Sequence, residues 1–83
     1  GIKRFKPEYF EMMCHLDSAR VIYLHCVGGL SAGAAPQLFH QPLQRALNYI
    51  EQARAVMPKA AEVDQIGDPI RQLAAELGVR SDP

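Results

Sequence analysis

The apolar positions in the first third of the chain fall on two neighbouring stripes of one helix. At about 100° per residue, Tyr9, Met12, Met13, Leu16, Ala19, Tyr23 and Val27 form one stripe, and Phe10, Cys14, Val21 and Leu24 form a second beside it. Polar residues keep only a narrow arc of Glu11, His15, Ser18 and His25. An apolar arc much wider than the usual 100° or so has to be covered from two directions. One cover is expected from a helix of the same chain, the other from a second subunit or a different protein. The spacing predicts a helix over residues 7–27, with Pro7 in its first turn and Glu8 and Glu11 at the positive end of its dipole. Residues 20–27 also hold valine, isoleucine and tyrosine, which favour pleated sheet. No second stretch would pair with such a strand, and a lone strand leaves its backbone groups unsatisfied, so the helix is preferred.

Gly28 and Gly29 are read as the end of this helix, the first as a left-handed cap. Residues 28–41 then make a long connection whose apolar contribution is Leu38 and Phe39. Pro42 is expected to open a second helix reaching about Met57, with Leu43, Ala46, Leu47, Ile50, Ala53 and Met57 on one face and Gln44, Arg45, Asn48, Glu51 and Gln52 on the other; Pro58 stops it. Residues 60–66 hold a further helical turn or two, and Gly67 breaks the pattern. In the last helix Asp68 is placed as the cap and Pro69 at the first position. Ile70, Leu73, Ala74 and Leu77 form its stripe, and Gly78 followed by Val79 reads as a Schellman end.

The fold class expected from this pattern is all-α: three short helices, or four if residues 60–66 stand alone, in a small bundle with the long first helix central, completed by homodimerisation. Residues 1–6 are read as a mobile basic arm, 7–80 as a single helical domain and 81–83 as a tail. With 83 residues, a single core supplies only about 3 to 5 kcal/mol, which makes self-association useful. Nine basic residues balance nine acidic ones, so no overall field draws the chain to nucleic acid or an anionic membrane. The uncharged run of residues 21–35 is too short for a bilayer, which takes about 20 residues. As a signal-peptide core it would follow Glu8, Glu11 and Asp17 instead of a short basic leader, so no membrane association is expected. Two cysteines are too few for a stapled secreted scaffold, and a cytoplasmic location is the default. On one helix Cys14 and Cys26 stand about 18 Å apart, too far to bond to each other, though either can meet its counterpart in a second chain. Both are read as small buried hydrophobes.

Several motifs invite a chemical reading. Residues 29–33, Gly-Leu-Ser-Ala-Gly, match the G-x-S-x-G nucleophile elbow, in which glycines permit a strained turn that exposes the serine hydroxyl to a base. His40 is the sole histidine downstream, and the sheet that positions such a serine is built from far more chain than this. A serine hydrolase-like fragment using Ser31 is therefore kept only as an alternative. Residues 70–80 resemble the first helix and turn of a helix-turn-helix DNA-binding unit, with Ala74 and Gly78 at the small-residue positions. That resemblance implies a DNA-binding regulator, but groove reading belongs to the second helix, for which no sequence remains before Pro83, and the basic footprint is missing. Nucleic acid is thus an unfavoured partner. Cys14, His15, His25, Cys26 and His40 lack the three- or four-residue spacing that converges helical ligands, and neither a metal nor another cofactor is expected.

Asp17 and Arg20, three apart, have the spacing of a helical ion pair at the edge of the core, or fix register between packed subunits. Met12 and Met13, with Tyr9 and Phe10, are read as core before deformable recognition surface. By elimination the expected function is non-enzymatic: a regulatory or adaptor protein that binds another protein and modulates or inhibits it, as an anti-activator of a transcription regulator does. The partner or dimer interface is assigned to Tyr9, Phe10, Met13, Leu16, Arg20, Tyr23, Leu24, Val27, Leu38 and Phe39.

Overall fold

The computed structural model describes residues 6–80; the expected tail and all but Lys6 of the expected arm lie outside the described residues. Among the described residues the fold is all-helical, with three α-helices and one 3₁₀ turn: α1 Pro7–Ser31, the 3₁₀ turn Pro36–Phe39, α2 His40–Val56 and α3 Ala61–Glu76. The helix expected in place of a strand at residues 20–27 is present, and Pro7 opens it as the spacing predicts. Its end is a correction. The helix passes straight through Gly28 and Gly29 and stops at Gly33, which takes the left-handed φ of 92°. There the Gly33 amide donates to the Leu30 carbonyl and the Ala34 amide to the Gly29 carbonyl, the paired bonds of a Schellman motif.

The physical reason lies across the connection. The buried Phe39 ring rests directly on Gly29, and a Cβ at residue 29 would overlap that ring. Gly29 is therefore a site of close approach inside a helix, and the Phe39 ring occupies the space a side chain would need. The 3₁₀ turn that carries Phe39 runs directly into α2, which starts at His40, two residues before the expected Pro42. Pro42 is still in the first turn, where its missing N–H costs nothing. Antiparallel packing follows: Phe39 meets the end of α1 at Gly29, and Tyr49 stacks on His15, 6.3 Å between ring centroids, nearer its start. The His15 side of the expected polar arc is thus partly covered by α2.

The core is one cluster. Met12, Leu16, Ala19 and Cys26 of α1 meet Leu43, Ala46, Leu47, Ile50 and Ala53 of α2, which realise the face the sequence assigned to that helix. Phe39, Val63, Ile70, Ala74 and Val79 complete it. α2 packs against both other helices, which touch each other less extensively.

The third segment is also corrected. Residues 61–76 form one unbroken helix, so Gly67 does not break it, Asp68 does not cap it and Pro69 lies in its interior. Gly67 is buried, and a Cβ there would stand 3.0 Å from Ile50 Cγ2 and 3.0 Å from Arg71 Nη1. Glycine thus lets α3 lie close on α2, and burial of Val63, Ile70 and Ala74 around it holds the helix through the proline. Asp68 and Asp64 instead accept from Arg71, at 2.6 and 3.1 Å, and Asp64 also accepts from Arg54 of α2 at 3.2 Å. The expected Schellman end is present: Gly78 has φ 74°, its amide donates to Ala75, and the Val79 amide donates to Ala74 at 2.7 Å.

Three substitutions test this packing. Gly29→Ala is expected to destabilise the fold by about 1–3 kcal/mol, because the ring of Phe39 has to move. Gly28→Ala, where nothing lies within 4 Å of a Cβ position, is expected to stabilise it by about 0.5–1 kcal/mol. Urea unfolding in dilute solution checks the opposite signs. Pro69→Ala is expected to raise stability by about 1–3 kcal/mol, since an exposed proline in mid-helix removes a backbone hydrogen bond. A loss of stability on that change would instead mark Pro69 as the start of a helix.

Candidate functional site

The two stripes of α1 have opposite fates. The stripe of Met12, Leu16 and Ala19 faces the core, with Met13 and Tyr23 half-buried at its edge. The second stripe faces away from both α2 and α3: Cys14 is exposed, and Phe10, Val21 and Leu24 expose 56%, 67% and 56% of their surface. Continued along the helix, this outer line reads Phe10, Cys14, Asp17, Val21, Leu24, Gly28 and Ser31, alternating steps of four and three residues. That is the repeat that keeps a seam on one side of a helix, over a length of about 37 Å for α1.

Shallow grooves flank the seam. One of about 240 Å³ toward α3 is lined by Arg20, Tyr23, Leu24, Ile66 and Pro69, and one of about 400 Å³ toward α2 by Asp17, Ser18, Val21, Arg45 and Tyr49. Asp17 and Arg20 are both exposed and form no ion pair with each other or with any other described side chain, so the intrahelical pair expected from their spacing is absent. Ser18 turns its hydroxyl inward along the helix, donating to the Cys14 carbonyl at 2.9 Å.

Six of the ten expected interface residues are exposed: Tyr9, Phe10, Arg20, Leu24, Val27 and Leu38. Met13 and Tyr23 are half-buried against the core. Leu16 and Phe39 are corrected: Leu16 is fully buried between the helices, and Phe39 is 6% exposed on its glycine seat, so neither offers a surface. Val21, on the second stripe and outside the expected interface set, is also exposed. The Glu62 carboxylate of α3, by hydrogen bonding and charge, pushes the Tyr9 pKa above its ordinary value.

The motifs with chemical content are placed as follows. Ser31 is the last residue of α1, so residues 29–33 form a helix end with no strand before it, unlike a nucleophile elbow. Residues 70–80 are the second half of α3 and its Schellman turn. Among the described residues no group of three or more His, Cys, Asp or Glu converges on a metal position, and no helix is long and apolar enough to cross a membrane.

The cysteines, both read as buried, divide. Cys26 is buried, and desolvation raises its pKa, whereas Cys14 stands on the outer seam. A thiol-specific reagent at neutral pH is therefore expected to modify one cysteine rapidly in the native protein, identified as Cys14 by peptide mass, and the second only on unfolding. Equal rates at both would contradict the inward facing of Cys26. Comparisons of the chain with protein-family models, curated proteins and solved structures give no match, so this surface is the ground on which its function is argued.

Proposed function

We propose that this chain is a small non-enzymatic regulatory or adaptor protein that binds another protein chain through the outer face of α1. The observation that carries the reading is the exposure of Phe10, Val21 and Leu24 along one seam, while Met12, Leu16 and Ala19 of the neighbouring stripe fill the core. Exposed apolar side chains gathered on one helix face mark interaction sites, and covering them gains about 25 cal/mol per Å² of apolar area. Residues at helical spacing that project from one face are the anchors of helix-in-groove and helix-on-helix recognition. Glu11, Ser18, Arg20 and His25 give the seam a polar rim, as interfaces have around an apolar centre.

The balanced charge favours a protein partner over nucleic acid, whose binding draws on a surplus of lysine and arginine. A chain of this size acts on a larger protein by covering an apolar surface that the larger protein needs for its own contacts, and so modulates or inhibits it. A reducing cytoplasm suits an exposed, unpaired Cys14 on the binding face.

The test is capture of protein partners from host extract by the wild-type chain and by Val21→Glu/Leu24→Glu. Both positions are exposed, so helix content is expected to be unchanged by circular dichroism. Two carboxylates on the seam are expected to weaken capture at least about a hundredfold. A stoichiometric protein held by the wild type and released by the variant supports the reading; equal capture by both, or nucleic acid as the only material retained, contradicts it.

A further inference from the structure

We infer that the chain covering the outer face of α1 is a second copy of this protein, laid antiparallel, with its two-fold axis crossing the seam at the level of Ala19. The inference rests on the reading of that face as a binding surface and names its resting occupant and register; a larger protein partner reaches the face only by displacing the second copy. The seam complements itself in this orientation. Phe10, the largest seam residue, falls opposite Gly28 of the second copy, where no side chain stands and nothing lies within 4 Å of a Cβ position. Within one chain the fold already solves the same packing problem in the same way, with Phe39 seated on Gly29. Cys14 falls opposite Leu24 and Asp17 opposite Val21 of the second copy.

Charge selects the same orientation. The helix order places Arg20 beside the seam on the Asp17 side, so in the antiparallel pair each Asp17 lies next to Arg20 of the second copy and the two Arg20 groups near the axis are flanked by the two carboxylates, a neutral cluster of four charges. Both groups are exposed and lack an ionic partner among the described side chains. On the other flank Glu11 falls opposite His25 of the second copy, again twice. A parallel pair in register has the reverse character: Asp17 faces Asp17, and Arg20 approaches His25. Like charges placed opposite one another at an interface discriminate against that arrangement. The parallel pair also sets Cys14 against Cys14, whereas the antiparallel pair separates the two thiols by about 15 Å along the axis.

Sedimentation equilibrium of the full chain at tens of micromolar, with Asp17→Arg, Arg20→Asp and the double swap Asp17→Arg/Arg20→Asp, tests the pairing; circular dichroism verifies that each variant keeps its helix content. The wild type is expected to be a dimer. Each single reversal is expected to raise the dissociation constant about tenfold or more, and the double swap to return it to within about threefold of wild type. Oxidation of the wild-type dimer is expected to leave Cys14 unlinked. Failure of the double swap to restore pairing, or a Cys14 disulfide between copies at high yield, overturns the antiparallel register. A monomeric wild type whose seam still captures a foreign protein, sensitive to Val21→Glu/Leu24→Glu, overturns the second copy as occupant and leaves the proposed function standing. A monomer that captures nothing removes both.

Discussion

The seating of Phe39 on Gly29 is the contact on which the rest of the arrangement depends. A ring can lie against a helix backbone only where a side chain is missing, and Gly29 is where α1 offers that space at the level the returning chain reaches. With the ring in place, the left-handed turn at Gly33 and the 3₁₀ turn deliver α2 antiparallel along α1. That direction brings Leu43, Ala46, Ile50 and Ala53 over Met12, Leu16, Ala19 and Cys26. It thereby turns the first stripe of α1 inward and leaves the second facing out. The exposed seam is thus a consequence of core packing, because one helix of this chain has more apolar circumference than two short neighbours can cover.

Much of this was legible in the residues. The start of α1 at Pro7, the buried face of α2, the stop before Pro58 and the Schellman end at Gly78 all follow from local rules, because each depends on atoms within a few residues. The two stripes of α1 were legible too. Which of them faces the core was not, since helical periodicity gives the width of an apolar arc and says nothing of the direction from which α2 arrives. Periodicity alone therefore does not distinguish Leu16, which is fully buried, from Val21, which is exposed.

The glycines carry a related lesson. Gly28, Gly29 and Gly67 have the local signature of helix ends, and each lies inside a helix. At Gly29 and Gly67 the absent side chain admits a neighbour, Phe39 in one case and Ile50 with Arg71 in the other. Such a role is invisible locally, because it is set by a residue many positions away. Pro69 was read as a helix start by the same local logic, and the buried Val63, Gly67 and Ile70 around it carry the helix through. Among the described residues only Gly33 and Gly78 use the left-handed backbone that glycine permits, and both end helices.

The proposed function rests on what the packing leaves over. The seam puts bulky apolar groups, an open glycine position and two unpaired opposite charges on one face of one helix, which is the equipment of recognition between helices. The most direct measurement is a dilution series of amide ¹H–¹⁵N spectra. Pairing through the seam predicts concentration-dependent shifts at Phe10, Cys14, Asp17, Val21, Leu24 and Gly28, with the amides of Leu43, Ile50 and Ala74 unmoved. A chain that sediments as a monomer at every concentration, or a dimer-to-monomer dilution whose changes centre on Leu38 and α3 in place of the seam, would contradict it.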